Sequence, residues 1–145
     1  MFIATYPTSI LREEDGEGFY VRFADLPEAL TGGDDFEDSL AQAADCLAEA
    51  LAGRIRRNDA IPVPSTVKRG QRLIGVPRYL APKLALYMAK RELGLPNTEL
   101  ARRLGVSETV VRRMLDPKHN TKPEKIQEAL NVLGKRIVVS FEDAA

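Results

Sequence analysis

Strand-like patterns occupy the first 33 residues of the chain. Residues 2–11, FIATYPTSIL, are rich in β-branched and aromatic side chains, and Pro7 predicts an edge strand or a bulge because proline has no backbone donor. Residues 19–23, FYVRF, alternate apolar with more polar positions, which is the period of a strand with one buried face. The polar residues 13–18 therefore predict a hairpin turn, and residues 29–31 predict a brief third strand that ends at a glycine pair.

The next segment has the period of a helix. Asp34 and Asp35 are good N-terminal caps, because a carboxylate accepts from the free amides of a first turn. Residues 58–70 contain two prolines and end in glycine, which is typical of a linker, and residues 72–76 predict a last short strand. The first module is therefore predicted to be β-β-β-α-β. Large apolar side chains form the helical stripe at Phe36, Leu40, Leu47, Leu51 and Ile55.

Helical signals dominate from Pro77 onward, and together with the first module they predict an α+β fold. Thr121 and Glu124 have the spacing of a capping box, and Gly134 suits a helix C-terminus. The tail 136–141, RIVVSF, is strand-like, and since a lone strand is unstable we expect it to pair with the same strand of a second subunit. The predicted helices are one ending near Gly94 and three at 97–104, 107–116 and 122–133.

One segment, NTELARRLGVSETVVRRML at 97–115, has the spacing of a helix-turn-helix. Ala101 is small where two helices would cross, and Gly105 permits the left-handed backbone of a tight turn. We expect Val106 to fill the space beneath that turn and Ser107 to cap the second helix. This arrangement leaves a polar helix face outward, where a major groove would meet it.

The charge of the chain is divided between its halves. Residues 1–70 contain 7 Lys/Arg and 13 Asp/Glu, a net charge of −6, whereas residues 71–145 contain 14 and 8, a net charge of +6. A basic module suits phosphates and an acidic module suits a basic partner, although charge also serves solubility. We therefore predict two domains, at 1–70 with an alternative end at 76, and at 77–145.

Several function classes are disfavoured by composition. A lone cysteine, Cys46, and a lone histidine, His119, predict no disulfide, metal site or cofactor. No apolar run approaches the about 18 residues of a membrane span, and no signal peptide is visible, so we expect a cytoplasmic protein without membrane contact. The first two predicted strands carry no carboxylates for a two-metal nuclease site, so we expect no enzyme.

In a DNA complex, the segment would divide its side chains between phosphates and bases. Thr98 and Ser107, at helix N-termini, would hold phosphate. Lys118 and Asn120, which follow the second helix, would contact the DNA backbone. Because one such helix reads few base pairs, we expect a dimer, or a higher homo-oligomer, on a palindromic operator. The competing interpretation is a dimerisation module whose arginines are only solvated. The candidates for base contacts are Glu108, Thr109, Arg112 and Arg113.

The order of the motifs resembles a known family. FYVRFADLP, TGGDDFEDSLAQAADCLAEAL and IPVPS are similar to the HicB antitoxin domain, and ELARRLGVSETVVRRMLDP to the helix-turn-helix tail of one branch of it. The resemblance implies a partial RNase H-like fold for the first module, neutralisation of a small mRNA-cleaving HicA-type toxin, and repression of the shared operon. The chain departs from the family pattern at Glu28-Ala29, which replaces a frequent glycine and puts the following turn in doubt.

The toxin contact is predicted only from charge and position. An RNA-cleaving toxin should present a basic surface, which an acidic module would cover. The alternative function is a stand-alone transcriptional regulator with a small-ligand-sensing first domain, although no phosphate loop favours it. A neighbouring gene for a small basic protein would favour the antitoxin. The acidic candidates in loops are Glu13, Glu14, Asp15, Glu17, Asp25, Asp34 and Asp35.

Overall fold

A computed structural model describes residues 1–143 and has the predicted α+β architecture. The chain divides into a first unit, Met1–Ala81, and a second unit that begins at Pro82. The first unit contains β1 (Thr5–Arg12), β2 (Phe19–Phe23), β3 (Leu26–Gly33), α1 (Phe36–Arg57) and β4 (Arg72–Gly75). The helices after β4 are α2 (Ala81–Glu92), α3 (Asn97–Leu104), α4 (Glu108–Leu115) and α5 (Pro123–Val132).

Within residues 1–143, the strands form one antiparallel sheet in the order β3-β2-β1-β4. The prediction that Pro7 marks an edge strand or a bulge was wrong, because β1 lies inside the sheet and its register with β4 is regular through Pro7. Pro7 is tolerated because β1 pairs with β2 only from Ser9 onward, and with β4 through residues 5–8. Val76 N donates to Ala4 O, so these two residues form a hydrogen-bonded pair. Hydrogen-bonded and non-hydrogen-bonded pairs alternate along an antiparallel ladder, and Pro7 and Leu73 therefore form a non-hydrogen-bonded pair.

Helix α1 covers one face of the sheet and provides the first unit with its core. Asp35 caps the helix as predicted, since its side chain accepts from Asp38 N. Gly33 brings β3 against the first turn, where an added Cβ would lie 2.5 Å from Ser39 Oγ and 2.6 Å from Ser39 N. The close approach therefore requires a glycine. The fully buried side chains of this unit include Tyr6, Phe23, Leu26, Leu47 and Leu51.

Glu28 and Ala29, where the chain departs from the family pattern, lie inside β3 and not in a turn. Ala29 is buried, whereas the Glu28 carboxylate accepts from Arg54 Nε at 2.7 Å and from Arg54 Nη2 at 3.0 Å. These hydrogen bonds lower the pKa of Glu28 and raise that of Arg54. The departure thus adds a bidentate ion pair between β3 and α1.

The linker-like residues 58–70 belong to the first unit and are tied to the rest of it at separate points. Tyr6 is fully buried and donates its hydroxyl to Pro62 O at 2.7 Å. Burial and the nearby Asp25 raise the pKa of Tyr6 to about 12. Asp25 Oδ2 accepts from Ser65 N at 3.0 Å and from Ser65 Oγ at 3.1 Å. The segment therefore follows a fixed path although its composition is that of a linker.

The helices of the second unit enclose a separate apolar cluster. Leu86, Leu100 and Val111 are fully buried in it, with Ile126 and Leu130 from α5. Gly134 has the positive φ of 72° that was predicted for a helix end, and Lys135 N bonds back to Leu130 O at 2.9 Å. Ile137 packs against the cluster, and its amide donates to Gln127 Oε1.

Details in this unit differ from the sequence predictions. The capping box was wrong, because α5 begins after Lys122 without a side-chain cap and Thr121 Oγ1 instead accepts from Lys83 Nζ. Residues 136–141 form no strand in the single chain, and Val138, Val139 and Phe141 are exposed. Pairing of this tail with a second subunit therefore stays a prediction.

Candidate nucleic-acid interface

Helices α3 and α4 are joined by the tight turn that the sequence predicts. Gly105 ends α3 in the left-handed conformation, with φ 67° and ψ 32°. Its amide donates to Arg102 O at 3.2 Å, and Val106 N donates to Ala101 O at 3.0 Å. Ser107 then caps α4 by accepting from Val110 N at 3.3 Å. The turn thus satisfies backbone groups that both helix ends would otherwise leave unpaired.

The inner sides of α3 and α4 pack into the core of the second unit. Leu100, Ala101, Val111 and Met114 are all buried, which explains the small residue at position 101. Val106 is 37% exposed, so the prediction that it fills the space beneath the turn was wrong. The burial of these residues fixes which side of α4 faces solvent.

The outer side of α4 carries the predicted base-contacting residues together. Thr109, Arg112 and Arg113 are exposed, and Glu108 is half-buried. Arg112 Nε lies 3.4 Å from Glu108 Oε1, and its Nη2 donates to Thr109 Oγ1 at 3.4 Å. Such exposed contacts are weak and give way to a stronger partner. The side chains of this face are therefore available to a ligand.

The arginines of α3 are in a different electrostatic state. Arg102 and Arg103 both bond to Glu99, with Arg103 Nε at 3.2 Å from Oε1. These hydrogen bonds lower the pKa of Glu99 to about 2. At neutral pH, Glu99 thus offsets part of the positive charge of α3.

The predicted phosphate-contacting residues lie around the two helices. Thr98 is exposed in the first turn of α3, and Ser107 stands at the N-terminus of α4. Lys118 and Asn120 are exposed in the loop after α4, where Asp116 Oδ1 accepts from Lys118 N at 2.9 Å. They lie at helix ends and in the adjoining loop, and their contact with a DNA phosphate backbone stays a prediction.

Lys83 of α2 is a residue that the sequence analysis did not single out. Its Nζ reaches the C-terminal end of α4, where it donates to the carbonyl oxygens of Arg113 and Met114. Its position among the apolar residues of α2 is the only signal in the sequence. That signal does not show whether the lysine is buried, because its burial depends on residues distant in the sequence.

The acidic candidates for toxin contact fall into different environments. Glu13, Glu14, Asp15 and Glu17 share the exposed turn between β1 and β2. Asp15 accepts from Glu17 N at 2.8 Å and shapes that turn. The remaining candidates serve the first unit itself: Asp25 binds Ser65, Asp35 caps α1, and Asp34 donates its amide to Asp38.

The sheet face opposite α1 exposes apolar side chains. The sequence prediction of the toxin contact missed them, because it considered only acidic residues in loops. Cross-strand pairing places Ser9, Arg22 and Leu30 on one face, because directly paired residues point the same way. Leu30 is 67% exposed and Leu73, paired with Pro7 on the same face, is 50% exposed. The alternation of β1 and β2 gave the signal for this face, which is a candidate protein-contact surface.

No group of three or more His, Cys, Asp or Glu side chains among residues 1–143 lies close enough to share a metal ion. Cys46 is a free, half-buried thiol whose pKa is raised by burial. In the same range, no helix combines the length and apolar character that crossing a bilayer requires.

Comparison with known proteins supports the resemblance seen in the motifs. The family model described as "HicB_like antitoxin of bacterial toxin-antitoxin system" matches residues 5–85, and thus ends before α3. "Antitoxin HicB 2" of Photorhabdus laumondii is 39% identical over 132 residues, covering 91% of this chain and 92% of that protein. "Antitoxin HicB 1" of the same organism is 36% identical over 137 residues, covering 94% and 86%.

A relative from another organism aligns with a similar share of the chain. "Antitoxin HicB" of Escherichia coli is 33% identical over 132 residues, covering 91% of this chain and 95% of that protein. The family model spans more than half of the chain, and the relatives align along nearly all of it. The chain therefore belongs to the HicB-like antitoxin family.

Proposed function

We propose that this antitoxin binds and neutralises a small HicA-type mRNA-cleaving toxin and represses its own operon by helix-turn-helix binding to operator DNA. The first unit, a partial RNase H-like fold in this proposal, binds the toxin. The second unit binds DNA as a dimer. Both activities take place in the cytoplasm, and the proposal assigns no catalytic step to this chain.

The arrangement of α3 and α4 is the observation that carries the DNA-binding part. The turn at Gly105 and the cap at Ser107 set α4 at the surface with Arg112 and Arg113 side by side. Arginine forms bidentate hydrogen bonds with guanine in the major groove. In this proposal, phosphate contacts position the helix, and they come from Thr98, Ser107, Lys118 and Asn120.

Charge and apolar exposure support toxin binding by the first unit. Its hairpin turn presents Glu13, Glu14, Asp15 and Glu17, which complement a basic surface. The open sheet face presents Leu30 and Leu73, and interfaces combine an apolar centre with a charged rim. The HicA-type toxin is the partner that both features would meet.

Dimer formation is supported by the tail. Val138, Val139 and Phe141 are exposed, and the amide of Ile137 anchors the start of the segment to Gln127. Pairing with the tail of a second copy would bury these side chains and satisfy their backbone groups. It would also place two α4 helices for a palindromic operator.

A fluorescence-anisotropy titration with DNA from the promoter of the chain's own gene tests the DNA-binding part. We expect R112A/R113A to lose about 2 to 6 kcal/mol of binding free energy per subunit, since each bidentate contact contributes about 1 to 3 kcal/mol. The matched control is R102A/R103A, which removes the same charge from α3, where Glu99 already binds both arginines. We expect the control to lose much less affinity.

Co-expression with the product of the neighbouring gene tests the toxin-binding part by pull-down and growth rescue. R112A/R113A should still rescue growth, because its substitutions lie in the second unit. A folded double variant that lost both activities would contradict the separation of functions. Stabilisation by a metabolite without any protein partner would instead favour the ligand-sensing regulator.

A further inference from the structure

Lys83 is a buried cation in the second unit. Its residue is 2% exposed, and its Nζ donates to Arg113 O at 3.0 Å, to Met114 O at 3.1 Å and to Thr121 Oγ1 at 2.9 Å. An ammonium group has three N–H donors and no acceptor, so these oxygens match its full hydrogen-bonding capacity. The side chain thus joins α2 to the end of α4 and to the loop beyond it.

Features of this location offset part of the cost of burying a charged ammonium group. Arg113 and Met114 lie in the last turn of α4, whose carbonyl oxygens have no partner inside the helix. The negative end of the helix dipole lies there as well, and it attracts a cation. Burial lowers the pKa of Lys83, and the nearby Asp116 carboxylate acts in the opposite direction.

Core packing alone does not require a lysine at this position. Methionine has a similar length and would fill the same space without the desolvation cost of a charge. What lysine adds is directional hydrogen bonding, which holds the end of α4 at one position relative to α2. Its contribution is therefore to the geometry of α4 more than to the apolar core.

The same contact extends into the loop that follows α4. Thr121 Oγ1 lies 3.0 Å from His119 Nδ1, so the hydroxyl that accepts from Lys83 also contacts the loop's histidine. Lys118 and Asn120 flank that histidine and are exposed. One buried side chain thus holds both the last turn of α4, which carries Arg112 and Arg113, and the adjoining loop.

We propose that Lys83 is a positioning residue, which fixes the C-terminal end of α4 and the loop 116–121 in the geometry that DNA binding requires. This inference rests on the proposed DNA-binding function. Lys83 contacts no DNA in this proposal, because its ammonium group is enclosed by the protein. It acts by keeping the fraction of chains with a competent α4 close to one.

The test compares Lys83→Met with Lys90→Met, which removes the same charge from a half-buried position on the same helix. We expect K83M to bind promoter DNA about tenfold more weakly than K90M, as when only about one dimer in ten has both copies of α4 in the competent geometry. Its salt dependence should keep the wild-type slope, whereas loss of a phosphate-contacting lysine would lower the magnitude of that slope by about 1 for each contact removed. Measurements are made well below the melting temperature of each variant.

Amide hydrogen exchange gives a readout that does not need DNA. Asp116 N donates to Arg113 O, the same carbonyl that accepts from Lys83, so exchange at residues 113–121 should be faster in K83M. Exchange in α3 and in the first unit should match K90M. A uniform increase over the whole second unit would indicate general destabilisation and would overturn the positioning role.

The outcomes separate this inference from the proposed function. Equal DNA affinities of K83M and K90M would overturn the inference while leaving DNA binding intact. If the wild-type protein binds no promoter DNA, the proposed function fails, and unchanged exchange at 113–121 in K83M then overturns the positioning of α4 as well. If K83M does not fold, Thr121→Val is compared with Thr66→Val, an exposed position in the first unit, by the same criteria.

Discussion

The turn between α3 and α4 makes a quantitative prediction about Gly105. Its φ of 67° is a conformation that costs a residue with a Cβ about 1–2 kcal/mol. An added Cβ would meet no atom within 4 Å, so no steric clash contributes to this cost. Alanine also restricts the unfolded chain, which offsets about 0.4–1 kcal/mol. Gly105→Ala should therefore lower the free energy of unfolding of the second unit by about 1 kcal/mol.

The effect is measured by thermal unfolding of the second unit. For a domain of about 60 residues, 1 kcal/mol corresponds to a decrease in Tm of about 4–8 °C. Methyl resonances of Leu100 and Val111, both buried in the core of this unit, report its unfolding separately from that of the first unit. Asparagine tolerates the left-handed region, whereas valine does not, so stability should decrease in the order Gly, Asn, Ala, Val at this position.

Gly75→Ala is the matched control, because Gly75 has open space around it and no positive φ. We expect its Tm to stay close to that of the wild-type protein. An alanine at 105 that leaves the second unit as stable as the control would refute the left-handed turn and, with it, the geometry that presents α4.

Two further predictions concern the first unit. Gly33→Ala should destabilise it by about 1–3 kcal/mol or more in urea denaturation, because the added Cβ would meet the backbone of Ser39, which cannot rotate away; wild-type stability would exclude the close approach. Tyr6→Phe should cost about 1 kcal/mol at pH 8, since Pro62 O loses its donor. The wild-type protein, whose Tyr6 has a pKa of about 12, should lose stability as the pH rises from about 10 to 12, because only its unfolded state ionises readily there; an equal loss in the phenylalanine variant would contradict this assignment.

Local signals were sufficient for much of the fold. The sequence predicted α3 at 97–104, and the structure has it there, because Pro96 and Gly105 mark its ends through their own backbone preferences. Asp35 was identified as a cap for the same reason, since its partner Asp38 N is only three residues away. Helix ends and caps of this kind depend on residues that are close in the sequence, and local patterns are therefore enough to predict them.

Features that depend on distant residues were missed or misassigned. Pro7 indicated an edge strand, but β1 has a second neighbour, β4, which comes more than 60 residues later in the chain. The hydroxyl of Thr121 was assigned to α5, whereas it binds Lys83, 38 residues away. The contacts of the candidate DNA-binding and toxin-binding residues with their partners stay predictions, because periodicity describes which side is exposed and not what covers it.

The ties from Tyr6 to Pro62 and from Asp25 to Ser65 affect how the first unit can be produced as a fragment. A fragment that stopped at residue 58, just after α1 ends, would remove the acceptor of a buried hydroxyl and uncover the side of β1 that β4 protects. Exposed strand edges of this kind promote association between chains. A soluble version of this unit consequently needs the proline-containing stretch and the strand after it, although both look dispensable from their composition.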